Sequence, residues 1–247
     1  MLQSTSSGKK IYSILKKAWN EDGKIHIVQV WAKVLEADPS NQADISIKIG
    51  YLIELFNNLR NDIDSLDISN KEKFLKPLNK IQIVLLNSPL LNANWADIKG
   101  QIAEETLDLI DACGDLIIAQ NKGFYEILPS ELEELQQQIR NLQDEIREAE
   151  IDKDTKVFLI NELRKIEDVI LNYQIRSSSG LSKVSEEVIG GTFVKWLQLL
   201  EKPREMAGKV INIAIKTNSM INVSERLSKL PEGLKDIVPL LLPGNGK

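Results

Sequence analysis

SELEELQQQIRNLQDEIREAEIDKDTKVFLINELRKIEDVILNY, residues 130–173, is the stretch from which the fold is read. Leu132, Leu135, Ile139, Leu142 and Ile146 recur at alternating spacings of three and four, the period of an apolar stripe along one helix. A polar break over 151–155 follows, and Leu159, Leu163, Ile166, Ile170 and Tyr173 then repeat the pattern. Two such stripes around a short break predict a long antiparallel helical hairpin over 130–175 with coiled-coil-like packing. Its start reads as a capping box, Ser130 to Glu133, in which hydroxyl and carboxylate each take a backbone amide proton; such a cap stabilises by about 1 kcal/mol.

The same alternation extends outward from the hairpin. Upstream, Ile11, Ile14, Leu15 and Ala18 form one face of a short helix whose other face carries Lys9, Lys10, Lys16 and Lys17. Residues 25–37 begin with β-branched residues but lack a turn signal, and read as helix up to Asp38-Pro39-Ser40. A longer helix is expected over 42–64, with Ile45, Ile49, Leu52, Phe56, Leu59 and Ile63 on its buried face. Ser69-Asn70 reads as the cap of the next, where Pro77 predicts a kink or a later start, and Asn87-Ser88-Pro89 stops it. A connection over 90–94 leads to a single helix over 95–120, in which Gly114 permits close packing.

Downstream, Ser177-Ser178-Ser179-Gly180 has linker composition. A helix over 181–200, interrupted at Gly190-Gly191, and another from about Pro203 are expected, before Pro231, Pro239 and Pro243 make the end irregular. With only 13 glycines and 8 prolines in 247 residues, turn formers are too scarce for a sandwich, barrel or propeller. The fold class that results is all-α: a multi-helix bundle with a long antiparallel hairpin and a smaller C-terminal helical module.

Charge divides the chain at the same linker. Residues 1–175 carry 20 basic and 29 acidic side chains, whereas 176–247 carry 11 and 7. The division predicts an acidic helical body over 1–176, hairpin included, and a basic, apolar C-terminal module over 177–247. No stretch reaches the roughly 20 apolar residues a bilayer span needs; the apolar run over 237–243 is too short, and Lys209 and Lys216 interrupt the tract over 206–223. The first ten residues lack the apolar core of a secretory signal, and a single cysteine gives no internal disulfide. The expected location is cytoplasmic.

Enzymatic chemistry is poorly provided for. His26, the only histidine, lies in an apolar run and reads as structural, and Cys113 among Ile110, Ala112 and Leu116 reads as a small packed side chain. Neither a phosphate-binding loop nor a dinucleotide fingerprint is present, and Ser13 to Lys16 matches an SxxK pattern without its companion motifs. Glu104, Asp108, Asp111 and Asp115 form a carboxylate stripe with oxygens that suit hard cations. Without histidines from neighbouring helices it does not make a di-metal centre and reads as a solvated face. No catalytic, cofactor-binding or metal-ligating residue is therefore assigned. The hairpin's acidic excess, Glu131, Glu133, Glu134, Asp144, Glu145, Glu148, Glu150, Asp152 and Asp154, disfavours nucleic acid as a partner. Trp19, Trp31, Trp95 and Trp196 are dispersed and read as packing residues.

Two short segments, Tyr173-x-Ile175-Arg176 followed by Gly180-Leu181, and Leu91-Asn92-Ala93-x-Trp95, resemble uncharacterised bacterial all-helical proteins without assigned activity. The resemblance implies a bacterial cytosolic protein and no chemistry. The expected function is non-enzymatic: a scaffold, adaptor or regulator that binds a protein partner or itself through helix faces. The alternative is a membrane-directed effector or regulator. Its module from about Ser179 would bind lipid through Val210, Ile211, Ile213 and Ile215, with Lys209 and Lys216 meeting anionic headgroups; the favoured expectation against it is that this tract packs on the acidic body, since soluble helices bury similar stripes. Far-ultraviolet circular dichroism is expected to show a helix-dominated spectrum, and a substantial strand signal would overturn the fold class.

Overall fold

A computed structural model describes residues 4–87, 93–120 and 124–221. Among these residues the fold is all-α, with ten helices: α1 Ser7–Trp19, α2 Ile27–Val34, α3 Gln42–Ser65, α4 Glu72–Asn87, α5 Trp95–Lys99, α6 Glu104–Ala119, α7 Pro129–Glu148, α8 Lys153–Leu171, α9 Tyr173–Trp196 and α10 Glu201–Ile221. The only extended pieces among them are two strands of two residues each, β1 Ser4–Thr5 and β2 Phe124–Tyr125. The Ser88-Pro89 stop, residues 90–92 of the following connection, and every reading beyond Ile221 lie outside the described residues.

The described residues form two compact units, one of those within 4–124 together with 174–177, the other of 125–173 together with 178–221. This grouping differs from a division at residue 176 that keeps the hairpin with the N-terminal body. The hairpin clusters with the C-terminal helices because α10 packs along both α7 and α8.

In the first unit α1 is central, packing on α6, α3 and α2. Ile11, Ile14, Leu15 and Ala18 are all buried. Its crossing with α6 is closer than side chains permit: a Cβ on Gly8 would stand 2.8 Å from Gly114 Cα, and one on Gly114 would stand 2.8 Å from Lys9 N. Ser6 fixes the register, taking the Lys9 amide as the N-cap of α1 and donating its hydroxyl to Gly114 O at 3.1 Å. Helix α3 starts at Asn41, whose side chain accepts from Ala43 N and Asp44 N, and buries the expected apolar face together with Leu55.

Residues 25–37 divide between the two tendencies of their sequence. Ile25 and Ile27 pair with residues 93–95 through a His26–Asn94 bridge, and helix begins only at Ile27. It ends with Glu36 in the left-handed region, φ 55°, while Ala37 N donates to Ala32 O at 2.8 Å, the six-residue closure of a Schellman turn. Trp31 packs edge-on against Trp95 with ring centroids 5.6 Å apart. The stretch over 95–120 is two helices rather than one, broken between Lys99 and Glu104, and both Ile98 and Ile102 are buried around the break. Helix α4 starts at Glu72, after the Lys71 carbonyl accepts the first helical bonds, and it continues through Pro77.

In the second unit the cap of α7 is Leu128, two residues before the expected Ser130. Pro129 is its first residue, a position where the missing N–H costs nothing, and Glu131 accepts from Leu128 N at 2.9 Å in place of a Ser130 box. Arg147 O meets Lys156 Nζ, whereas Arg140 and Gln143 meet Glu167, so α7 and α8 run antiparallel. Asp152 caps α8 by accepting Thr155 N. The Ser177–Gly180 stretch is not a loop. It lies inside α9 and holds a kink: Ser177 leaves helical geometry, at φ 58° and ψ −178°, and divides the element into two helices. Gly190-Gly191 does not interrupt this helix, which continues to Trp196.

The Gly8–Gly114 crossing gives a direct test. Gly8→Ala or Gly114→Ala forces backbone apart and is expected to cost about 1–3 kcal/mol in chemical denaturation. Gly190→Ala, on an exposed helical site with open space around it, is expected to stabilise by about 0.5–1 kcal/mol.

Candidate functional site

The carboxylate stripe of α6 is satisfied by the lysine face of α1. Lys9 Nζ lies 2.9 Å from Asp111 Oδ1 and 2.7 Å from Asp115 Oδ1, and Lys16 Nζ lies 2.6 Å from Glu104 Oε1. Asp108 is exposed beside them, within the field of Lys16. The Lys16 hydrogen bond holds the Glu104 carboxyl below its ordinary range and is the main cause of the raised Lys16 value. Burial acts to lower Lys9, but its bonds to Asp115 and Asp111 outweigh that and raise it. Among the described residues no group of three or more His, Cys, Asp or Glu side chains is arranged to hold a metal ion.

The other chemistry-bearing residues are also placed for structure. His26 is the exposed residue preceding α2, and its side chain makes no capping bond. Cys113 is 1% exposed, and burial pushes its thiol up to about 12, which removes the reactive thiolate at neutral pH. Ser13 is exposed and Lys16 is paired with Glu104, so the SxxK pattern lacks a lysine able to act as a base.

The acidic hairpin and the basic C-terminal helix answer one another. Lys202, Lys209 and Lys216 stand seven residues apart on α10 and bond to Glu150, Glu145 and Glu134 respectively. Seven residues are two helical turns, so the ammonium groups form a ladder along one edge of α10. Val210, Ile211 and Ala214 are buried beneath it. Between the rungs a groove of about 600 Å³ opens between α7 and α10, floored by Leu142, Ile213 and Ile215. Lys209 and Lys216 thus face hairpin carboxylates, and no described helix is long and apolar enough to cross a membrane.

One exposed surface is apolar. At the end of α9 and the turn after it, Val194, Leu197 and Leu200 are 59%, 56% and 82% exposed. Phe193 and Trp196 stack beside them with centroids 5.9 Å apart, and Arg204 lies over the Trp196 ring. The sequence reading gave Trp196 a packing role; the available signal was the density of large apolar residues over 193–200. The chain matches no family model, no curated protein and no solved structure.

Two measurements follow from these environments. With its pKa near 12, Cys113 is expected to react with a thiol reagent at pH 8 roughly a thousandfold more slowly in the native chain than after unfolding. Lys9, Lys209 and Lys165, which pairs with Glu162 and Glu187 at 2.9 Å, are raised above 10.5, so their ion pairs contribute fully at neutral pH and are lost as pH climbs through those raised values. Thermal stability is expected to fall on the alkaline side above pH 10.5. The Lys209→Gln variant should show a smaller fall; each such partly exposed pair supplies at most about 1 kcal/mol.

Proposed function

We propose that the chain is a non-enzymatic helical interaction protein, a scaffold, adaptor or regulator of the bacterial cytoplasm that binds a protein partner or a second copy of itself. The observation that carries this reading is the exposed apolar run Val194, Leu197 and Leu200 at the end of α9. Large apolar side chains grouped on one surface, with aromatic and arginine neighbours, have the composition of a protein-binding patch. The groups that would support catalysis are used for structure: the carboxylate stripe binds lysines, Cys113 is buried, and His26 stands outside any described acidic or nucleophilic cluster. A membrane-directed role for the C-terminal module requires α10 to leave α7, breaking three ion pairs and exposing Val210, Ile211 and Ala214. That packing favours the protein-binding reading.

In-cell cross-linking followed by mass spectrometry tests it. Cross-links from Lys195 and Lys202 to one defined protein, or to this chain, are expected, with loss in a Leu197→Asp/Leu200→Asp variant that keeps its helical spectrum. Robust turnover in an unbiased hydrolase and transferase screen, abolished by Glu104→Gln with Asp108→Asn, would overturn the reading.

A further inference from the structure

Lys9 and Lys16 on α1, and Lys202, Lys209 and Lys216 on α10, each meet a carboxylate of a neighbouring helix or turn. The lysines of α4 do not. Lys73, Lys76 and Lys80 are exposed at spacings of three and four, so they line one face of this helix, and Ile83, 56% exposed, carries the stripe another turn. None of the three ammonium groups is bonded to another described residue, and Glu72, exposed beside Lys73, pairs with none of them.

A fourth cation stands at the edge of this stripe. Arg60 of α3 reaches across to α4, where its Nη2 donates to Asn79 Oδ1 at 2.6 Å and to Gln82 Oε1 at 2.7 Å. Gln82 is buried and is held in turn by donating to Asn57 Oδ1 at 3.2 Å. These partners are neutral amides, so they fix the guanidinium without cancelling its charge. Its Nε and Nη1 donate to no described residue, and no described carboxylate pairs with it. A half-buried guanidinium held in place with part of its fork open is arranged to receive a carboxylate or a phosphate. Asn79 is next to Lys80 and one turn from Lys76, so Arg60 and the lysines present their charge together.

We propose that this face of α4, with Arg60, docks an acidic amphipathic helix of a protein partner. The inference goes beyond the reading above by naming a second surface and the chemistry that fits it, and rests on that reading only in taking the partner to be a protein. One partner carboxylate meets the open side of the Arg60 fork, others meet Lys73, Lys76 and Lys80, and an apolar residue covers Ile83. Lys73 and Lys80 stand two turns apart, about 10 Å along the axis, which matches acidic residues two turns apart on a facing helix. The chain joins its own α10 to α7 by the same chemistry, with Lys209 and Lys216 against Glu145 and Glu134. A nucleic acid would use the same four cations, but its phosphate backbone has no apolar group to place on Ile83.

Fluorescence anisotropy of a labelled glutamate–leucine helical peptide, about four turns long, titrated with the full chain tests the docking, with circular dichroism to confirm that each variant is folded. Binding is expected, weakened by roughly tenfold or more in Lys76→Glu/Lys80→Glu and in Arg60→Gln, and weakened by added salt. Lys17→Glu/Lys24→Glu makes the same change in net charge at exposed sites on α1 and the turn after it, and should leave binding unchanged. Ile83→Ser should weaken the peptide and not a single-stranded oligonucleotide of equal charge. A wild-type chain that fails to bind the peptide at about 100 micromolar overturns the inference, as does binding that both α4-face variants retain. An oligonucleotide that binds more tightly than the peptide, with the same losses in the variants, overturns it in favour of nucleic acid. In each case the interaction reading keeps its own cross-linking test at Lys195 and Lys202.

Discussion

The first unit depends on one approach of backbone to backbone. With no side chain at Gly8 or Gly114, α1 lies against α6 closely enough that a methyl group would collide with the main chain. At that separation the Ser6 hydroxyl reaches a carbonyl across the crossing, and Lys9 and Lys16 of α1 reach carboxylates of α6. Buried Ile11, Ile14 and Leu15 on the same helix occupy the core beside α2 and α3. The ion pairs are partly exposed and contribute little energy individually; their effect is to favour one register of α1 on α6 over its neighbours.

The second unit uses charge at longer range. Lysines two turns apart on α10 meet Glu134 and Glu145 of α7 and Glu150 just beyond its end, and the antiparallel direction of the two helices follows from the order of the pairs. The compositional contrast between an acidic hairpin and a basic C-terminal segment is thus the trace of complementary surfaces within one unit.

What was legible in the sequence was what neighbouring residues determine. The 3,4 repeats identified α3, α7 and α8 and their buried faces, since apolar periodicity is local to one helix. The cap of α7 was misplaced because Pro129 and Ser130 both offer a helix start, and proline's fixed φ prevailed. The Ser177–Gly180 stretch looked like a linker by composition, but buried Ser178, Ser182 and Ser185 allow close packing there, and the break is confined to one residue. The carboxylate stripe was visible as a stripe. Its lysine partners, about a hundred positions away, were visible only as charge, because nothing in a one-dimensional pattern pairs residue 9 with residue 111. Gly190-Gly191 read as an interruption because both residues disfavour helix, whereas the helix runs through them to Trp196.

The break at Ser177 has a consequence for the order in which the chain becomes structured. Residues 174–177 belong to the first unit, where Ile175 joins the core and Arg176 lies over Tyr51, 4.6 Å from the ring centroid, and near Glu54. As the polypeptide leaves the ribosome, residues 3–124 emerge without this last piece, which arrives only after the whole hairpin has been made. The N-terminal unit is completed from behind, by the first turn of α9 up to its kink at Ser177. Its final consolidation is therefore coupled in time to synthesis of the hairpin, and no contiguous fragment that omits the hairpin contains all of it.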